Sequence, residues 1–124
     1  MTTRKYVILC VDDEPTSLLV RSRVLEKAGY YVVPANSAEA ALGILTLQSV
    51  DLVLTDLLMP GINGAELARE IKIRNPKLPV ILFSGVNEEP ADKSNIDLFL
   101  SKLEGPVSLC EKVAEILRNT VARP

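Results

Sequence analysis

Short apolar runs alternate with stretches of helical spacing along the whole chain. Tyr6–Val11 is apolar throughout and rich in β-formers, the pattern of a strand covered on both faces. Pro15 to Ala28 follows with helical spacing, with Pro15 suited to a first turn and Gly29 to a stop. Leu18 and Leu25 stand a heptad apart on its inward stripe, with Ala28 three further on. Tyr31–Pro34 is a second strand, and Pro34 favours an edge position. Asn36 stands three before Glu39, which predicts a capping arrangement. Ala38, Ala41, Leu42 and Leu45 then mark a helix at i, i+3, i+4 and i+7.

The second half repeats the pattern. Leu52–Thr55 is a third strand and ends at Asp56. A turn-rich loop, Met59-Pro60-Gly61-Ile62-Asn63-Gly64, leads to a helix over Ala65–Asn75, with Leu67 and Ile71 on one face. Val80–Phe83 is a fourth strand, broken by Ser84-Gly85. Glu88–Asn95 is polar, carries Pro90, and offers a short helix at most. Ile96–Ser101 is a fifth strand. Pro106 opens a last helix with Cys110, Val113, Ala114, Leu117 and Val121 on its apolar face. Five strand–helix alternations predict an α/β fold, a doubly wound five-stranded parallel sheet with right-handed crossovers and helices on both faces. Chemistry in such sheets sits outside the carboxyl ends of the strands. The residues there are Asp12, Asp13, Asp56, Ser84 and Lys102.

Composition narrows the picture. The 124 residues make one domain, with a core over about 6–118 and a fraying end at 119–124. At 48% hydrophobic and 24% charged, the chain can bury a core without staples. A net charge of −2 argues against direct nucleic-acid binding. With no histidine, His-based triads, ordinary zinc sites and an own phosphohistidine are excluded. Cys10 and Cys110 are too few for a disulfide framework and read as buried free thiols. The first apolar run ends at Val11 against Asp12 and Asp13, too short for a membrane span and wrongly flanked for a signal peptide, so the expected location is the cytoplasm.

Acids delivered by two strand ends repel one another and call for a cation. Oxygen-only ligands suit Mg²⁺, which binds through one or two carboxylates plus a phosphate. Ser84 offers a hydroxyl and Lys102 a positive charge for that phosphate. Asp12 and Asp13 come as a pair suited to the metal; Asp56 stands alone and is the candidate nucleophile, attacking phosphorus in line to form an aspartyl phosphate. Each residue taken singly has a plainer role. Asp13 before Pro15 can cap a helix, Ser84 can be a turn residue and Lys102 a solvated charge.

The residues Val11-Asp12-Asp13-Glu14-Pro15, Leu54-Thr55-Asp56-Leu57-Leu58-Met59-Pro60-Gly61 with Gly64, Phe83-Ser84-Gly85 and Phe99-Leu100-Ser101-Lys102 resemble the receiver domain of two-component response regulators. The resemblance runs from Tyr6 to about Arg118. It implies a flavodoxin-like sheet of order 2-1-3-4-5 and phosphorelay signal transduction, with Asp56 as phosphoacceptor. It implies Mg²⁺ on Asp13, Asp56 and the backbone carbonyl of Leu58, with Asp12 acting largely through water. It also implies phosphoryl contacts from Ser84 and Lys102, and a switch in which Ser84 moves inward and Phe99 turns into the vacated space. Burial of Phe99 in the core is the competing expectation. The implied donor is a sensor histidine kinase or a histidine phosphotransfer protein, and the implied target is a downstream protein. Such a chain is no enzyme beyond its own phosphorylation and dephosphorylation.

Three features depart from the family pattern. Lys102 is followed by Leu103 rather than proline, which predicts a trans bond or a strained cis one. The stretch from Ser84 to Lys102 is short, which predicts a short or irregular fourth helix. Leu58 and Val86 are apolar where a water would be oriented, which predicts slow self-dephosphorylation. The alternatives are a phosphorylation-independent pseudo-receiver acting as an interaction module, and a phosphohydrolase. The latter is disfavoured because Leu57 and Leu58, not a second acid, follow Asp56.

Overall fold

Five apolar runs become five parallel strands; the three central ones are largely buried and paired on both sides, while the two edge ones are only partly buried. The computed structural model describes residues 5–85, 88–90 and 92–121. In chain order they form β1 (Val7–Val11), α1 (Pro15–Lys27), β2 (Tyr31–Ala35), α2 (Ala38–Leu47), β3 (Leu52–Asp56), α3 (Gly64–Arg74), β4 (Val80–Ser84), β5 (Leu98–Ser101) and α4 (Pro106–Val121). The sheet order is β2-β1-β3-β4-β5, every pair parallel. This is the predicted order, with β2 and its Pro34 at one edge and the four-residue β5 at the other.

The alternation along the strands divides the core into two layers. Leu9, Val11, Val53 and Val80 face Ala38 and Ala41 of α2 and Leu67, Ala68 and Ile71 of α3. Ile8, Cys10, Leu52, Leu54, Ile81 and Leu100 face Leu25 of α1 and Leu109, Val113 and Leu117 of α4. Successive strand residues point to opposite faces, so neighbours such as Ile8 and Leu9 serve different layers.

Several details correct the sequence expectations. The stripe of α1 is Leu18, Arg21, Ser22 and Leu25; Ala28 is exposed because it is the C-cap, outside the helix. The side chain capping α1 is Glu14, which accepts the Ser17 N–H at 2.7 Å, not Asp13. The cap of α2 is Ser37, whose hydroxyl accepts the Ala40 N–H at 3.0 Å; Asn36 lies one residue too early to reach the first turn. Strand β5 begins at Leu98 rather than Ile96, because the Asp97 carboxylate takes the Val80 N–H at 2.7 Å and closes the ladder there. Cys110 is half-buried, since α4 turns Leu109, Val113 and Leu117 inward and sets Cys110 beside that stripe. Helix α4 continues to Val121, beyond the predicted fraying point at 119; residues 122–124 lie outside the described residues. Among the described residues between β4 and β5, none is helical.

Candidate functional site

The sheet order reverses between β1 and β3, whose neighbours lie on opposite sides, and the loops after these strands diverge to leave a crevice. Asp12 follows β1 and Asp56 ends β3. Both are almost wholly buried, at 2% and 4% exposed, whereas Asp13 is exposed. Carboxylate oxygens of Asp12, Asp13 and Asp56 lie within 4.8 Å of one another. The predicted convergence of three acids is therefore present.

Close backbone packing sets this geometry. Helix α3 begins at Gly64, whose N–H donates to the Leu57 carbonyl at 2.8 Å. A Cβ at Gly64 would stand 2.2 Å from the Asp56 carbonyl oxygen and 2.8 Å from Leu82 Cδ1, so only glycine fits. A reciprocal cap fixes the start of α3. Asn63 Oδ1 accepts the Glu66 N–H at 2.9 Å, and Glu66 Oε1 accepts the Asn63 N–H at 3.0 Å. This N-x-x-E signal is present in the sequence but escaped the sequence reading. Pro60 and Gly61 turn the chain before it, with Gly61 at φ +78°.

The cations come from β5 and α1. Lys102 Nζ stands 2.9 Å from Asp56 Oδ1, an ion-pair distance without hydrogen-bond alignment, so that buried oxygen accepts no hydrogen bond. Burial pushes the Asp56 carboxyl above its ordinary range, against the opposing pull of Lys102. Partial burial lowers Lys102, but Asp56, Glu88 and Asp12 outweigh it and hold the ammonium above its usual value. The backbone delivers Lys102 by pairing β5 with β4, where its N–H donates to the Ser84 carbonyl at 3.0 Å. The bond from Lys102 to Leu103 is trans, as expected.

Ser84 lies at the end of β4, one residue beyond Phe83, the register partner of Asp56. Leu58 follows on the loop after β3, with its side chain 55% exposed. Phe99 is 36% exposed on β5, so the expectation of a core-buried Phe99 does not hold. Lys93 Nζ lies 5.8 Å from its ring centroid. Val86 lies outside the described residues.

The sequence reading missed Arg21. Its NH1 donates to Asp12 Oδ2 at 3.0 Å, and its guanidinium carbon sits 4.2 Å from the Phe83 ring centroid. The signal was a charged residue at i+3 on the Leu18–Leu25 stripe, where an apolar residue is the rule. Arg21, Phe83 and Lys102 line one cleft of about 300 Å³ between α1 and the start of α4.

The donor set fits a hard divalent cation: three oxygen ligands within reach of one centre, one of them a buried oxygen that accepts no hydrogen bond. A five-stranded parallel sheet with acids at its switch point and a lysine from the last strand defines a phosphoryl-signalling receiver architecture. The chain belongs to the response regulator receiver domain family, whose profile matches residues 8–114. It is similar to a receiver domain from Clostridium thermocellum, with TM-score 0.85, 31% identity, and 92% of this chain and 95% of that one covered. It is also similar to response regulator TrrA of Thermotoga maritima, solved in complex with Mg²⁺-BeF, with TM-score 0.84, 32% identity, and 90% and 98% covered. Sensor protein EvgS of Escherichia coli is 40% identical over 76 residues, 61% of this chain. The chain spans 6%, 13% and 17% of the lengths of three curated relatives it matches. Among the described residues, no helix is long and apolar enough to cross a membrane.

Proposed function

We propose that this chain accepts a phosphoryl group on Asp56 from the phosphohistidine of a sensor histidine kinase or histidine phosphotransfer protein, and so switches or relays a signal to a downstream protein. The observation that carries this is a buried Asp56 carboxylate with Lys102 Nζ 2.9 Å away, inside a cluster of three acids. A carboxylate oxygen of Asp56 attacks phosphorus in line; the P–N bond breaks, and its electron pair stays on the donor's imidazole nitrogen. Lys102 then pairs with a phosphoryl oxygen, and the Ser84 hydroxyl donates to another. Asp13, Asp56 and the Leu58 carbonyl would hold Mg²⁺ directly, with Asp12 through water. When bound, the ion neutralises charge on the acids and phosphoryl oxygens.

Ser84, drawn toward the phosphoryl group, leaves space that Phe99 fills. The exposure of Phe99 supports this, since a ring already outside the core has somewhere to go. Phe99 has no hydroxyl, so packing alone drives the move. Leu58 cannot orient an attacking water, so the aspartyl phosphate is long-lived. Leu58→Asn should shorten its half-life, and an unchanged half-life removes the idea. Beyond its own phosphorylation and dephosphorylation the chain transforms no substrate, and it works in the cytoplasm without direct nucleic-acid binding.

The test is intact mass after incubation with Mg²⁺ and a small phosphodonor, for the native chain and Asp56→Asn. A gain of one phosphoryl group in the native chain alone supports the reading. No gain with donor and metal in excess makes the chain a phosphorylation-independent interaction module instead.

A further inference from the structure

Arg21 is the charge in this site that the acid–hydroxyl–lysine set does not account for. It occupies the inward stripe of α1 with its side chain 13% exposed, among the least exposed cations of the described residues. The ring of Phe83, itself 4% exposed, shields one face of the guanidinium from water. Arg21 NH1 holds Asp12 Oδ2 at 3.0 Å, while the Glu14 N–H holds Asp12 Oδ1 at 2.9 Å. Both oxygens of Asp12 are therefore engaged before any metal arrives.

Asp12, Asp13 and Asp56 carry three negative charges; Arg21 and Lys102 bring two positive ones, leaving −1. The two cations are not equivalent. Lys102 is 36% exposed on a flexible stem beyond β5, free to turn toward a phosphoryl oxygen. Arg21 is pinned by a helix, an aromatic face and a buried carboxylate.

We propose that Arg21 is a built-in countercation of the acid cluster that weakens its grip on Mg²⁺, which rests on the reading of that cluster as the magnesium site. A divalent ion entering the cluster meets a fixed positive charge and an Asp12 whose Oδ2 is taken. Arg21 also preorders Asp12, which would favour the metal. That effect is the smaller one, because the Glu14 N–H orders Asp12 without Arg21. Arg21 is thus a positioning residue acting through Asp12. It keeps the acids folded together in the metal-free state and sets the Mg²⁺ concentration at which the site fills.

The experiment is Mg²⁺ titration by calorimetry with no phosphodonor, on the native chain, Arg21→Met and Arg21→Lys. Methionine keeps an unbranched apolar stem over Phe83 and removes the charge; lysine keeps the charge. Arg21→Met should bind Mg²⁺ about tenfold tighter, and Arg21→Lys within about threefold of native. Equal or weaker binding by a folded Arg21→Met overturns the inference. A second readout needs no variant: saturating Mg²⁺ should shift the Arg21 Nε–H resonance of the native chain, and an unmoved resonance also overturns it. Binding by Arg21→Met where the native chain shows none supports the inference in its strongest form. No binding by any of the three proteins overturns the magnesium reading and this inference together, whereas native binding with no gain in Arg21→Met overturns this inference alone.

Discussion

Aspartates stand at both ends of the sheet, and the two sets are treated differently. Asp51 and Asp97 lie just before β3 and β5; Asp12 and Asp56 lie at the far ends of β1 and β3. At the amino end, Asp51 Oδ2 accepts the Val7 N–H at 2.7 Å. Asp97 Oδ2 accepts the Val80 N–H and the Lys72 ammonium, each at 2.7 Å. Each acid there ties one strand's first amide to its neighbour. At the carboxyl end, three acids are pressed within 4.8 Å of one another, and Asp56 Oδ1 is buried without a hydrogen bond. The same side chain is a tie between strands where it holds a backbone amide, and part of a crowded acid cluster where two strand ends bring carboxylates together. Position relative to the strand decides which, because parallel strands end in a crevice only at the switch point.

Moving the carboxyl end bodily should do the most damage. Gly64→Ala forces a methyl group against the Asp56 carbonyl and should destabilise by about 3 kcal/mol in urea unfolding. A loss under about 0.5 kcal/mol would mean that α3 can shift freely, and that Gly64 does not set the site. Next, Asp97→Ala leaves the Val80 N–H without its acceptor and Lys72 without its carboxylate, and should cost about 2 kcal/mol by the same measurement. An unchanged midpoint would show that water replaces the tie.

The sign should reverse at the other end. Burial raises the Asp56 carboxyl, so the folded chain binds that proton more tightly than the unfolded one. Its charge therefore costs stability above the folded value, and the cost fades as pH falls through that value toward the unfolded one. Asp56→Asn in EDTA at neutral pH should stabilise by about 1 kcal/mol, a gain that vanishes in acid. A loss of stability under those conditions would place Asp56 among the structural ties. The smallest effect belongs to Asp51→Asn, which retains an acceptor for the Val7 N–H and should cost about 0.5 kcal/mol. Thermal unfolding would read it as a midpoint shift well below that of Asp97→Ala.

The sequence announced the acid cluster at the carboxyl end better than the ties at the amino end. Acids directly after apolar runs are conspicuous, so Asp12, Asp13, Asp56 and Lys102 could be placed on one edge once the strands were marked. Asp97 was absorbed into the fifth strand's run, because the choice between a carboxylate and the ladder for the Val80 N–H is made by tertiary pairing. The same holds for Cys110, where helical spacing gave the face to within one residue and the core layer took Leu109 instead. Arg21 was hidden for a different reason. Periodicity looks for apolar residues, and a guanidinium covered by Phe83 and paired with Asp12 sits on an inward stripe without breaking any rule of burial. The exposure of Phe99 followed from no pattern, since nothing in the run Leu98–Ser101 tells which of its side chains neighbouring segments will cover.

The two open margins of the sheet have a bearing on how copies of this chain behave side by side. One margin is β2, where Pro34 has no N–H to offer; the other is β5, only four residues long. A foreign strand would find an interrupted row of donors on one side and too short a row on the other. Neither margin templates the addition of a further strand. Crowded copies should therefore meet through side chains and separate again, and this signalling domain can be kept at high concentration without its sheet growing from one molecule into the next.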